Sequence, residues 1–306
     1  MPNPTKPPHL GPHYAAQFQD PSVVSVYHLR PPVPDEVMTC LTALLTDAPN
    51  SRVLDLGCGQ GELARPLAAR VRSLDAVDWS RAMVEAGMRL PGGDRLNLRW
   101  ITAKAEEAPL SPPYDLVTAG QSLHWMDWDL MLPRLASVLS SAGLLAIVDW
   151  DVTPPPWADA LRTVIQRLST NRLYRPYDLV DELVTRGLFA PINRRQTEPV
   201  PFGQATADYI ESLHARNGLS RDRMGRQAAQ AFDRAVSRAT APFEDDGHLR
   251  LATVGVVVWG RPLAPDVPGP GGPVAASAIV TTTPSGGVSS LSVQHSPVPS
   301  GATKQI

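Results

Sequence analysis

Short, nearly unbroken apolar runs alternate with stretches of three-to-four-residue periodicity along the first half of the chain. Arg52–Leu56, Leu74–Val77, Leu98–Thr102, Tyr114–Ala119 and Leu144–Trp150 are of strand length and barely alternate. Strands covered on both faces carry this pattern, and they are typical of parallel sheets. Between them Leu63, Leu67 and Val71 mark one helix. Met131, Leu135, Val138 and Leu139 mark another, with Gly143 as its expected C-cap. A further helix, with Val37, Leu41, Leu44 and Leu45 on one face, precedes the first strand. The alternation predicts a doubly wound α/β sheet.

The second half is less regular. Trp157–Leu168 and Tyr177–Arg186 read as helices, and a strand is expected near Gln196–Phe202. Ala228, Phe232, Ala235, Val236 and Ala239 mark a last helix, and Leu249–Trp259 a closing strand, which makes seven strands in all. The helices of 152–172 and 205–241 are expected to sit outside the sheet as a lid over a pocket. From Pro262 to Ile306, Pro, Gly, Ser, Thr and Ala dominate and no aromatic residue occurs. Such a segment buries too little apolar surface to offset its ordering entropy, so 262–306 is expected to be a disordered tail. The Pro-rich residues 1–12 are expected to behave similarly, leaving one domain over 13–261.

Composition narrows the function classes. With 28 Lys and Arg against 30 Asp and Glu, the net charge of −2 gives no reason to expect a nucleic-acid or membrane-surface partner. A mean hydropathy of −0.13 is ordinary for a soluble protein. The two cysteines, Cys40 and Cys58, form no CxxC pair, so neither a disulfide framework nor a zinc site is expected. The first residues lack the apolar run of a secretory signal, and no apolar stretch approaches the ~20 residues of a membrane helix. The expectation is a cytoplasmic enzyme with a small-molecule substrate; oligomeric state is not encoded in any of these features.

The candidate chemistry begins where the first strand enters Gly57-Cys-Gly-Gln-Gly61. Glycines let the backbone turn sharply and come close to a ligand. A dinucleotide fold needs G-x-G-x-x-G to seat a pyrophosphate at the helix start, and here the sixth position is Glu62. No Gly-Lys-Ser/Thr follows, so a phosphate loop is absent as well. Asp55, just before the glycines, disfavours an anion and suits an ammonium group. Asp78 ends the second strand about 20 positions on, where an acid accepts hydrogen bonds from ribose hydroxyls. Trp79 offers adenine a flat surface. Ribose, adenine and ammonium without phosphate describe S-adenosylmethionine.

Val53–Gly61, Asp78 and Gly120–Asp127 (GQSLHWMD) together resemble the class I S-adenosylmethionine-dependent methyltransferases of the methyltransferase type 11 group, and within it the trans-aconitate-methyltransferase-like members. The resemblance runs from about Tyr27 to Pro262 and implies a Rossmann-like methyltransferase sheet. It also implies roles. Tyr27 and Arg30 match a motif whose Arg holds the cofactor's carboxylate. Asp55, Gly57, Cys58, Gly59 and Gly61 surround its methionine part, and Asp78 its ribose. Trp79 and Met83 flank the adenine, whose edge meets the backbone at Ala105 and Glu106. Gln121 lies near the sulfonium. Lys104 stands where many relatives carry an acid.

His124 is the candidate catalytic group. It follows a strand that the fold ends at the ligand crevice, and a histidine is largely neutral at about pH 7–8, able to take a proton. A hydroxyl acceptor calls for such a base, whereas a carboxylate is already an anion. His124 and Trp125 read equally well as a structural corner that shapes the pocket. The expected reaction is methyl transfer to a carboxylate or hydroxyl oxygen. A non-catalytic cofactor binder and a nicotinamide oxidoreductase are the alternatives.

Overall fold

The computed structural model describes residues 6–264 of the chain. Strand β1 (Arg52–Leu56) is central, with β2 (Ser73–Asp78) and β3 (Leu98–Thr102) parallel on one side. On the other side lie β4 (Tyr114–Gly120) and β5 (Leu139–Val152), also parallel. The long β8 (His248–Pro262) runs antiparallel to β5. Its last half pairs with β6 (Phe189–Gln196) and its first half with β7 (Val200–Ala205). The order β3-β2-β1-β4-β5-β8-β6, with β7 also on β8, gives a doubly wound, mostly parallel sheet of eight strands.

The unbroken apolar strands have the two covers that their pattern requires. Val53 packs with α3 (Asp35–Ala43) and α4 (Ala64–Ala68) through Val37, Leu41 and Leu67. Leu54 and Leu56 point the other way, onto α6 (Trp128–Val138) and α8 (Leu179–Thr185) through Met131, Leu135 and Leu183. Period-two alternation of a pleated strand puts neighbours on opposite faces, so both layers are fixed by one pentapeptide. Helix α5 (Arg81–Arg89) starts at Ser80, whose hydroxyl accepts from the Met83 amide.

Several expectations are corrected. The stretch Gln196–Phe202 straddles a break at Thr197–Pro199 between two strands, which makes eight strands rather than seven. Strand β6 hides from a periodicity reading because it is an edge, exposed along nearly all its length and rich in polar residues. Gly143 does not cap a helix. Helix α6 ends at Val138, the chain passes directly into β5, and a Cβ at Gly143 would lie 2.7 Å from the Tyr114 carbonyl oxygen. The expected tail begins late, since Pro262 pairs with Phe189 and the Leu263 amide donates to the Leu188 carbonyl. Residues 265–306 of that expected tail, like residues 1–5, lie outside the described residues.

The largest correction concerns residues 6–12, expected to be disordered. Pro8–Leu10 forms a single 3₁₀ turn with Leu10 3% exposed, followed by α1 (Pro12–Ala15), a 3₁₀ turn over Ala16–Gln19 and α2 (Pro21–Val26). This strap is held by the late helical insert. There α7 (Ala158–Leu168), α9 (Thr206–His214) and α11 (Arg226–Thr240) pack around Trp157, Phe232 and Val236 against the start of β8. The linker and α10 (Arg221–Met224) between α9 and α11 grip the strap. Gln17 Nε2 donates to the Arg216 carbonyl (2.9 Å) and its Oε1 accepts from the Gly218 amide (2.7 Å). Asp20 accepts from Ser220 Oγ and Arg223 Nε, both at 2.7 Å, and Asn217 donates to the Tyr14 carbonyl.

Gln17 is 1% exposed, and its loss leaves the buried Gly218 amide unpaired, while the Arg216 carbonyl keeps the Leu219 amide. One such group costs about 1–3 kcal/mol. Gln17→Ala is expected to lower the thermal midpoint and to speed amide exchange in residues 8–18 while β1, β4 and β5 stay protected. Unchanged exchange in the strap would show that it is held by other means.

Candidate functional site

The strand order reverses between β1 and β4, and open α/β sheets form a crevice at the carboxyl ends of the strands on either side of such a reversal. A cavity of about 790 Å³ lies there. The ends of β1, β2 and β4 supply its floor through Gly57, Gly59, Asp78 and Gly120. The residues after β3 and β4 make one wall, and the strap makes the other. The expected lid segments 152–172 and 205–241 contribute no lining residue.

The glycine turn is a left-handed backbone. Gly57, Gly59 and Gly61 have φ of +62°, +56° and +86°. At Gly57 a Cβ would lie 2.4 Å from the Ser122 Cβ, and at Gly61 one would lie 2.6 Å from the Trp100 ring. Both positions therefore need glycine for conformation and for room. The turn is tied to β2: the Cys58 amide donates to the Val77 carbonyl (3.0 Å) and the Gly59 amide to Asp78 Oδ2 (2.9 Å). Asp78 Oδ1 accepts from the Ser80 amide (2.7 Å).

Three carboxylates gather beneath this turn. Burial pushes Asp55 up to about 7, against the help of the Thr118 hydroxyl, which donates to it at 2.7 Å. Burial also raises Asp78 and Glu62, the latter opposed by Arg65 and Arg30. Mutual repulsion among the three adds to the Asp55 shift. The floor of the cavity is therefore short of positive charge. The Cys58 thiol is also pushed well up by burial, the reverse of what a nucleophile needs.

Behind the floor runs a chain of polar contacts. Arg30 Nη1 donates to the Tyr27 hydroxyl (2.9 Å) and Nη2 to Gln121 Oε1. Gln121 Nε2 donates to Asp149 Oδ1 (2.8 Å) and to the Trp150 carbonyl. This fixes Gln121 in a left-handed conformation, φ +52°, at the end of β4. The buried Nε of Arg30 has no hydrogen-bond partner among the described residues. It borders a second cavity of about 220 Å³ that Tyr27 and Glu62 also line.

Nine of the expected site residues line the main cavity: Tyr27, Gly57, Gly59, Asp78, Trp79, Met83, Ala105, Glu106 and Gln121. Asp55, Cys58 and Gly61 lie beneath it, and Arg30 reaches it through Tyr27 and Gln121. His124 is not among the lining residues; its ring lies 4.6 Å from that of Trp125, which is. Sequence reasoning missed the strap side, above all Phe18. The signal was present in Gly11-Pro12 and Asp20-Pro21, each a turn residue followed by a proline at the first helical position. Among the described residues no cluster of His, Cys, Asp and Glu is arranged to hold a metal, and no helix is long and apolar enough to cross a membrane.

Comparison with known proteins agrees with this geometry. Residues 53–143 match the methyltransferase domain family. A trans-aconitate 2-methyltransferase of Deinococcus radiodurans is 37% identical over 112 residues, which are 35% of this chain and 41% of that enzyme. One of Klebsiella pneumoniae is 27% identical over 55% of this chain and 68% of its own length. A solved structure from Anaeromyxobacter dehalogenans, described as a type II methyltransferase, superposes with a TM-score of 0.53 at 23% identity. It covers 76% of this chain and 97% of that one. The chain thus carries a methyltransferase domain on a methyltransferase-like fold, as the resemblance implied. It spans about two fifths of the Deinococcus enzyme.

The Asp55 shift has a sign that can be measured. Folding draws a proton onto this carboxyl between its ordinary 3.8 and about 7, so its contribution to stability falls as pH rises through that window and is level above it. Asp55→Asn is expected to flatten the dependence of the thermal midpoint on pH between about 5 and 8 in the ligand-free protein. A slope identical to the wild type's would show that the charge deficit lies elsewhere.

Proposed function

We propose that the chain binds S-adenosylmethionine in this crevice and methylates a carboxylate or hydroxyl oxygen of a small molecule. The observation that carries the reading is the acidic floor under the glycine turn. Asp55, Glu62 and Asp78 repel a pyrophosphate and attract an ammonium and a sulfonium, and each carboxyl raised by burial returns toward its ordinary value when a cation arrives.

The residues fit the cofactor part by part. Each oxygen of Asp78 accepts one backbone amide and keeps a lone pair for a ribose hydroxyl. Trp79 and Met83 flank the adenine, and the backbone at Ala105 and Glu106 meets its edge. Asp55 and the three glycines enclose the methionine part. Arg30, which reaches the crevice through Tyr27 and Gln121 and keeps an unpartnered Nε, is the cation assigned to the carboxylate, and Gln121 is assigned to the sulfur end. When bound, the cofactor supplies a methyl whose bond to cationic sulfur breaks, its electron pair staying on sulfur, as the bond to the acceptor oxygen forms. The chain's contribution is to hold the acceptor in line, which is worth about 7–11 kcal/mol of barrier. A base is needed only for a hydroxyl, and the position of His124 behind Trp125, which lines the cavity, favours its pocket-shaping reading over that of a base.

Calorimetric titration with S-adenosylmethionine is expected to show one site per chain. Asp78→Ala should weaken it roughly 10- to 150-fold, the loss of hydrogen bonds to a charged acceptor. Absence of binding to the wild type would end this reading. Affinity should also fall as pH is lowered from about 8 to 6, because Asp55 then holds a proton that the ammonium must displace. His124→Ala should leave kcat within about twofold; a fall of roughly a hundredfold or more would make it the base after all.

A further inference from the structure

Resting on that reading, we propose that the acceptor is a planar, largely apolar molecule with a single ionisable oxygen, an aromatic hydroxyl compound, and not a polycarboxylate. The apolar part of what the cofactor residues leave over is built chiefly by two segments. The strap contributes Pro8, Leu10, Ala15 and Phe18, and the stretch from the end of β4 to the start of α6 contributes Trp125 and Trp128. Phe18 ties the two together. Its ring meets that of Trp125 at 5.6 Å and 60°, and that of Tyr27 at 6.5 Å and 85°. Edge-on rings of this kind form a wall that favours another flat ring over a flexible polar chain.

The charges point the same way. Lys6, Lys104 and Arg186 are the cations on the wall, against Glu106, Glu107, Asp127 and Asp129 in addition to Asp78. Each cation is already engaged. Lys6 Nζ donates to the Met126 carbonyl (2.9 Å) and sits over the Trp128 ring. Arg186 pairs with Glu182 and covers the same ring at 5.0 Å. Lys104 lies 3.8 Å from Glu107. One anionic oxygen is met by the cofactor's own positive sulfur. The further carboxylates of a molecule such as trans-aconitate would face a wall on which acids outnumber cations, and like charges set together cost binding. The methyltransferase domain match covers 53–143 and leaves out the strap, so the half of the acceptor wall that carries Phe18 lies outside it. The aromatic hydroxyl gives its proton to solvent before transfer, so the oxygen that takes the methyl is already an anion and, like a carboxylate, calls for no base on the wall.

Binding to the full chain loaded with S-adenosylhomocysteine separates these possibilities, read by calorimetry and by quenching of tryptophan fluorescence. The probes are 2-naphthol and trans-aconitate. We expect 2-naphthol to bind at least about tenfold more tightly than trans-aconitate. Phe18→Ala should weaken 2-naphthol roughly three- to tenfold and S-adenosylhomocysteine, which Phe18 meets only through Tyr27, by less than about twofold, which also shows that the variant is folded. Equal or tighter binding of trans-aconitate, no binding of 2-naphthol, or indifference of 2-naphthol to Phe18→Ala would each overturn the inference with the cofactor reading intact. Failure of the wild type to bind S-adenosylhomocysteine would overturn both.

Discussion

The hydrogen bond from the Gly59 amide to Asp78 is the constraint on which the site depends. It joins the turn after β1 to the end of β2, and it holds only if Gly57, Gly59 and Gly61 take left-handed conformations. With the turn so placed, Asp55, Glu62 and Asp78 crowd together under the cavity. Three half-paired carboxyls are an expense to the empty fold. Their raised proton affinities are the physical signature of a site that becomes electrostatically complete only with a cationic ligand. Stability and binding thus draw on the same residues in opposite directions.

What was legible in the sequence was what is local. Strands β1, β2, β4, β5 and β8 announce themselves because strands buried over most of their length are mainly apolar, and β3, though an edge, keeps Leu98, Trp100 and Ile101. The glycine turn does so because its conformation admits little else. Asp78 and Trp79 follow from their distance to that turn and Gln121 from the family resemblance, and all three line the cavity. The edge strand β6 was illegible because exposure removes the apolar signal. The strap was illegible for a different reason. Gln17 is ordered by contacts with residues 199 and 201 positions away, and an interaction of that range leaves no period in the nearby sequence. Prolines 8 and 12 read as disorder, although Pro12, like Pro21, begins a helix.

The misreading inverted two roles. Helices expected to cover the pocket anchor a segment expected to be loose, and that segment covers it. The inversion matters because, Tyr27 and Arg30 apart, the residues assigned to the cofactor lie in the stretch that matches the methyltransferase domain family, while half of the wall assigned to the acceptor is built by residues 6–18. A domain match therefore speaks to the cofactor more than to the acceptor, and a relative's substrate transfers poorly where the strap differs.

The two halves meet at Tyr27. Its ring is edge-on to Phe18 on the acceptor side, and its hydroxyl accepts from Arg30 on the cofactor side. Arg30 in turn reaches Gln121, a residue whose left-handed backbone costs about 1–2 kcal/mol and persists because its amide is bound by Arg30, Asp149 and the Trp150 carbonyl. The backbone at Gln121 is therefore held in place by the same arginine that donates to the Tyr27 hydroxyl. The strap, through Phe18 and Tyr27, and the end of β4, through Gln121, are joined by one chain of contacts, so order in one supports order in the other.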